Sequence, residues 1–157
     1  MEAKLLSIKD TKVPIQDHCI FDTQNNEAKD GDLCIFWEAP DQQLQAVLRS
    51  GASFQNSQGK FKHDDIIGAV NYGSKIFLKQ TYTTVMRPNT HMYTCSLKQR
   101  TQILYTPDIA MITSRLGLRP GSKVVESGTG TGSLSVSIVR SVFPEGHLYT
   151  YEFNKQR

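Results

Sequence analysis

A chain of 157 residues, 38% apolar and 21% charged, has the composition of a globular protein holding one ordinary domain or two small ones. No apolar run approaches the ~18 residues of a membrane span, and the start Met1-Glu2-Ala3-Lys4 lacks the apolar core of a signal peptide and the arginine-rich character of a transit peptide. The net charge of +3 is uneven: residues 49–100 hold eight bases against two acids, whereas residues 32–48 hold three acids and no base, so the middle third suits a polyanion or else forms a solvated basic face.

Residues 1–28 are polar with weak periodicity and read as a flexible extension, in which the Leu5-Leu6 pair is the one docking candidate. From Gly31-Asp32 the pattern changes. Leu33–Trp37 is rich in β-formers, Leu44–Leu48 is short and apolar, and turns at Ser50-Gly51 and Gln58-Gly59 bracket a polar loop. Ile66-Ile67, Lys75–Lys79 and Tyr82–Met86 follow. Short β-type runs separated by Gly, Pro and Asn predict a small antiparallel barrel or sandwich over residues 29–99.

After Arg100 the period becomes helical. Thr106 is a candidate N-cap, Pro107 suits the first helical position and Asp108 favours the positive helix end. Ile109, Ile112 and Leu116 share one face, and Gly117 can close the helix in a left-handed conformation. Arg119-Pro120-Gly121 makes a turn and Val124-Val125-Glu126 starts a strand. A glycine loop, a helix with Leu134, Ile138 and Val142 on one face, a stop at Phe143-Pro144 and a strand over Leu148–Phe153 complete one parallel βαβ unit. Residues 100–157 therefore read as the beginning of a Rossmann-like α/β domain. The whole is α/β with a small antiparallel β domain in front.

Cys19, Cys34 and Cys95 are odd in number, far apart and without a C-x-x-C pair, and the four histidines are scattered. That argues for a reducing compartment, against a disulfide framework and against a metal site.

The most specific feature is Glu126-Ser127-Gly128-Thr129-Gly130-Thr131-Gly132. Glycines let the backbone turn sharply and approach a ligand with no Cβ in the way. The helix starting near Ser133, itself an alternative N-cap, points unpaired N–H groups at that ligand. The dinucleotide pattern G-x-G-x-x-G fails, because the sixth position from Gly128 is Ser133. A P-loop fails for want of a terminal G-K-[ST]. The spacing E-x-G-x-G-x-G resembles the first motif of class I S-adenosylmethionine (SAM)-dependent methyltransferases. Glu152, 24 residues past Gly128, stands where an acid can accept hydrogen bonds from ribose hydroxyls. Together these predict a nucleoside cofactor, SAM before NAD.

The runs Arg100–Tyr105, Asp108-Ile109-Ala110, Ile112-Thr113, Leu118–Ser122, Glu126–Ser133, Gly146-His147-Leu148 and Glu152-Phe153 resemble the catalytic subunit of the tRNA adenine-58 N1-methyltransferase. The match covers roughly residues 29–157, most densely from Arg100. Ser127 resembles the eukaryotic nuclear and cytosolic branch, since the bacterial and mitochondrial branches tend to carry Ala there. The resemblance implies that Leu104, Glu126, Ser127, Gly128, Gly130, Thr131, Gly132, Ser133, Glu152 and Arg157 form the SAM site. It implies that Gln102, Ile103, Tyr105 and Thr106 lie where the extruded adenine approaches, and that Lys60, Lys62 and His63 face tRNA. It further implies a non-catalytic paralogous subunit in a heterotetramer, a nuclear or cytoplasmic location, and a catalytic Asp following a later strand, beyond Arg157. The expectation is of a chain truncated after the second strand of its catalytic domain and inactive alone, with Leu134, Ile138 and Val142 short of packing partners. Two other readings stay open. One is a non-catalytic RNA- or subunit-binding β module with a vestigial SAM motif. The other is a SAM-dependent methyltransferase acting on a protein or small molecule.

Overall fold

The computed structural model describes residues 26–78, 80–97 and 102–154. Expectations for residues 1–25, Arg100 and Arg157 lie outside them. The described chain forms β1 (Leu33–Ala39), β2 (Gln42–Val47), β3 (Ser53–Asn56), β4 (Gly59–Lys62), a 3-10 turn (His63–Asp65), β5 (Lys75–Leu78) and β6 (Thr81–Met86). These are followed by α1 (Thr90–Ser96), α2 (Thr106–Arg115), β7 (Lys123–Ser127), α3 (Ser133–Val142) and β8 (His147–Tyr151).

The first six strands make the antiparallel unit that the alternation predicts. Four form a sheet in the order β2-β1-β6-β5, and β3 and β4 form a separate hairpin. The hairpin lies over the sheet because its two inward side chains are Phe54 and Phe61. Phe54 stacks on Phe36 of β1 at 3.8 Å between centroids and on Phe61 at 5.2 Å. Ala28, Cys34, Leu48, Ile66 and Val85 complete this core. Burial of a large side chain of this kind contributes about 1.5–3 kcal/mol. Cys34, Ile35 and Phe36 are all fully buried, so β1 is covered on both faces: the hairpin packs on one, and α1 rests against β1 and β2 on the other.

Several sequence expectations change here. The polar loop between the two glycine turns contains β3, which reads as polar because Phe54 is its one inward position. Ile66-Ile67 is not a strand; it follows the 3-10 turn, and Ile66 is buried as a core plug. Ala28, assigned to the extension, is buried, and its amide donates to Val70 O. Between the β unit and the helical half stands α1, which the sequence reading missed. Its N-cap is Asn89, whose side chain accepts from the Met92 amide at 2.8 Å.

The second half is the predicted βαβ unit. β7 and β8 pair in parallel, with Glu126 opposite Thr150 and Ser127 opposite Tyr151. α3 covers one face of the pair. Ile138 and Val142 are buried, with α1 and α2 also against α3, so these two do not lack partners as expected. The bare surface is on the other face, where Val125, Tyr149 and Tyr151 are exposed and Phe153 follows fully exposed. A parallel pair is ordinarily covered on both faces. In α2 the N-cap is Tyr105 rather than Thr106, and Leu116 is exposed, so Ile109 carries the burial. Gly117 takes the expected left-handed conformation, with φ 59°.

Candidate functional site

The glycine loop joins the end of β7 to α3. Gly128, Gly130 and Gly132 have φ of 91°, 56° and 77°, conformations that L side chains rarely adopt. This is the physical reason for the alternating glycines. Gly132, not Ser133, is the N-cap of α3, and it makes no side-chain cap. The loop is tied back to β8 by the Gly128 and Thr129 amides, which donate to Tyr151 O at 2.8 and 3.2 Å. The first amides of α3 have no acceptor within the helix.

Two carboxylates brace this loop from opposite ends. Glu126 is buried, and its Oε2 accepts from Ser135 Oγ and from Thr150 Oγ1, each at 2.6 Å. Thr150 Oγ1 also contacts Thr129 Oγ1 of the loop at 2.5 Å. Glu152 stands just past β8. Its Oε2 accepts from the Gly130 amide and its Oε1 from the Asn154 amide, both at 2.9 Å. The acid expected near a ribose thus also holds the loop's middle glycine, and it joins the end of β8 to the glycine turn.

The segment 102–106 runs beside the loop. Ser133 Oγ lies 2.8 Å from Leu104 O and 2.7 Å from Thr94 Oγ1, and Thr94 Oγ1 is 2.9 Å from Thr90 O. Two hydroxyl protons therefore serve three contacts at one buried junction. Ser133 is 2% exposed, so its side chain works inside the protein and its backbone is what it can offer a ligand. Ile103 is also buried, whereas Gln102, Leu104, Tyr105 and Thr106 are exposed. Thr106 Oγ1 is 2.9 Å from His91 Nδ1 of α1, and a cleft of about 190 Å³ opens between α1, α2 and α3 beside it. Residues of α1 that the sequence reading passed over reach the loop as well. Tyr93 is half-buried, burial pushes its phenol pKa up, and a Cβ on Gly132 would lie 3.4 Å from its hydroxyl. The Asn-Thr-His-Met start of α1 was the available signal, a cap residue followed by a short run.

Lys60 and Lys62 project outward from β4 on either side of buried Phe61. His63 does not share their exposure. It is 5% exposed, its Nδ1 accepts from the Arg49 amide at 2.9 Å, and its ring lies against Phe54. It lies two positions after buried Phe61, so the alternation of β4 already turns it inward, away from the face that carries Lys60 and Lys62. Ser127 ends β7 and is exposed, and Thr131 lies on the loop, half-buried. Among the described residues, no three His, Cys, Asp or Glu side chains are placed to hold a metal ion, and no helix is long and apolar enough to cross a membrane.

Residues 81–157 match the family model for the tRNA methyltransferase complex GCD14 subunit. The tRNA (adenine(58)-N(1))-methyltransferase catalytic subunit of Cryptococcus neoformans is 45% identical over 130 residues, which is 81% of this chain and 30% of that protein. The corresponding subunit of Candida glabrata is 39% identical over 144 residues, 88% of this chain and 37% of that protein. That of Schizosaccharomyces pombe is 35% identical over 140 residues, 88% and 38%. The chain thus spans about a third of the length of these relatives. Among solved structures, a SAM-dependent O-methyltransferase from Thermotoga maritima superposes with a TM-score of 0.68 at 18% identity, over 88% of this chain and 52% of that one. The tRNA (m1A58) methyltransferase TrmI from Aquifex aeolicus gives 0.59 at 25% identity, over 83% and 50%. These likenesses place the fold among class I SAM-dependent methyltransferases.

Proposed function

The chain belongs to the family of tRNA (adenine(58)-N(1))-methyltransferase catalytic subunits, and on that premise we propose that it carries the SAM-binding part of a tRNA adenine-58 N1-methyltransferase. One observation carries the reading: the β7–loop–α3–β8 unit is assembled as a nucleoside cradle, with Glu152 at the end of β8 bonded to Gly130 in the loop. The residues fit the cofactor. A Cβ built on Gly128 meets nothing within 4 Å, so the loop backbone lies open there. Glu126 and Glu152 supply the negative charge that a cationic amino acid and a sulfonium favour, where a pyrophosphate would be repelled.

In this proposal the SAM site comprises Leu104, Glu126 to Ser133 and Glu152, and the chemistry supplied by bound SAM is an electrophilic methyl group. The chain's own residues bind and orient. Glu152 and the first amides of α3, which have no acceptor within the helix, hold the cofactor, and exposed Leu104 and Tyr105 border the place where an adenine taken out of its stack would be held. Positioning supplies most of the rate in such a transfer, because the N1 lone pair must point along the methyl–sulfur axis. Lys60 and Lys62 hold tRNA phosphates, an interaction that weakens steeply as salt rises. The non-catalytic paralogous subunit of a heterotetramer and a nuclear or cytoplasmic setting belong to the same proposal.

Titration calorimetry of the full chain with S-adenosylhomocysteine tests the cofactor half. Saturable binding that is lost in Gly130→Val is expected, since a branched side chain at φ 56° is strained and fills the loop. No binding by the wild-type chain overturns it. Retention of labelled tRNA that falls with rising salt tests the substrate half.

A further inference from the structure

The β unit carries a second feature that the cofactor loop does not use. β5 is an edge strand of the sheet, and β4 is the facing strand of the hairpin. The two are pinned at one end. The Thr81 hydroxyl proton lies between two carbonyls, Leu78 O at 2.9 Å and Gln58 O at 3.1 Å, and a Cβ on Gly59, at φ 141°, would collide with the Leu78 side chain. Away from that pin they part, leaving a cleft of about 390 Å³ whose lining includes Ile66, Ile76 and Leu78, with Lys60 and Lys62 on the β4 side and Phe77 on the β5 side.

Phe77 is 70% exposed and its cross-strand neighbour Tyr82 is 43% exposed. Their rings are 5.8 Å apart and tilted by 51°, so they touch without covering each other's faces. Lys75 Nζ lies 4.0 Å from the centre of the Tyr82 ring. The cleft is lined by one acid, Asp65, and two lysines, Lys60 and Lys62, and Lys75 stands outside it over the Tyr82 ring. A lysine on an edge strand has a bland use, since it discourages pairing with another chain. That accounts for Lys75. It does not account for Phe77, whose bare ring on the same edge works against such protection. An exposed aromatic ring beside lysines is the arrangement by which single-stranded nucleic acid is held, its bases stacking while its phosphates are neutralised.

We infer that the cleft between β4 and β5, with the outer face of β5 and β6 beside it, binds an unpaired nucleotide of the RNA substrate, the base stacking on Phe77 at the rim of the cleft with Tyr82 next to it, and the flanking phosphates meeting Lys60 and Lys62 of the cleft and Lys75 of the outer face. This rests on the proposal that the substrate is tRNA, and it deepens it by naming the stacking residues. A stacked base is recognised by its π-face, so the site tolerates sequence differences among tRNAs.

The test is tRNA affinity of the full chain as a function of salt, for wild type, Phe77→Ala, Tyr82→Phe, Lys60→Ala/Lys62→Ala and Phe77→Trp. Phe77→Ala is expected to bind about tenfold or more weakly at every salt concentration with an unchanged salt slope. Tyr82→Phe, which keeps the ring, is expected to bind as wild type. The double lysine variant is expected to flatten the slope of log K against log salt by about 1.4–1.8. In Phe77→Trp the new indole emission is expected to change when tRNA is added, and this readout holds even if the alanine variant folds poorly. Wild-type affinity in Phe77→Ala together with an unmoved indole signal overturns the inference while leaving tRNA as substrate. So does a Phe77→Ala variant that loses only association with another protein chain, which would make the patch a protein interface. Failure of the wild-type chain to bind tRNA overturns the underlying proposal itself.

Discussion

Replacing Ser135 with alanine removes one of the two hydroxyl donors to Glu126. Both groups are buried, at 8% and 9% exposure, and the bond is 2.6 Å long. A hydrogen bond to a charged group contributes about 1.5–3 kcal/mol, and its loss here leaves a buried carboxylate with Thr150 as its remaining hydroxyl donor. For a chain of this size that corresponds to a fall in Tm of about 3–12 °C. Equilibrium denaturation followed by circular dichroism measures it, with an unchanged m-value showing that stability rather than compactness has moved. The geometry makes a second, sharper demand. Thr150→Val alone leaves Ser135 in place, so the double variant Ser135→Ala/Thr150→Val must cost more than the sum of the singles by at least about 0.5 kcal/mol, because only then does Glu126 lose both hydroxyls. A Ser135→Ala variant within about 0.5 kcal/mol of wild type, as is usual for a surface serine, refutes the assignment of Ser135 as a brace. Strict additivity in the double variant refutes the shared-acceptor geometry.

Glu152→Gln keeps one acceptor oxygen for two amides, those of Gly130 and Asn154, and sets an N–H against the other; S-adenosylhomocysteine affinity measured by calorimetry is expected to fall about tenfold or more. Asn89→Ala removes the cap of α1 and is expected to cost about 1 kcal/mol in thermal denaturation, with a loss of cofactor affinity because α1 supports the loop through Thr94 and Tyr93. Burial pushes the Cys34 thiol from 9.0 up to about 11 in the folded protein. The unfolded chain therefore releases this proton first as pH rises, and stability falls by about 1.4 kcal/mol per unit above pH 9 until the folded thiol titrates. Denaturation profiles of Cys34→Ala are expected to be flatter between pH 9 and 10, and an identical slope in both proteins sinks the assignment. Above pH 10 the Tyr72 phenol adds a loss of the same sign, because burial, foremost, and its contacts with Cys34 and Asp32 raise it too.

The parts of the fold that follow from periodicity were legible in advance. Strands β1, β5 and β6 and the parallel pair with its helix lie within a residue or two of expectation, because each has a clear apolar face or a glycine boundary. What escaped was set by contacts distant in sequence. β3 shows one inward residue, Phe54, and becomes a strand because Phe36 and Phe61 stack against it. α1 has one turn fewer than an amphipathic pattern needs and is held by Asn89 and by packing on β2. At the site, the loop and both carboxylates were readable from spacing. Ser135, which nothing in the spacing marks out, bonds Glu126, and Ser133 turns inward, because which side of a helix start faces the protein depends on what lies above it. His63 was legible and was grouped with the wrong face: it falls two positions after Phe61, on the inward side of β4, whereas Lys60 and Lys62 fall on the outward side.

The junction of Ser133, Thr94 and Leu104 bears on how this protein can be taken apart and recombined. Three segments separated by up to 39 residues share one pool of two protons there, so none is a detachable module. A chimera that grafts the β unit from a relative and cuts between α1 and the segment 102–106 severs a contact network rather than a linker. Such a graft keeps its native stability only when the hydroxyls of Thr94 and Ser133 travel together, since position 104 contributes its backbone carbonyl. A library diversified at one of the hydroxyls must carry compensating choices at the other.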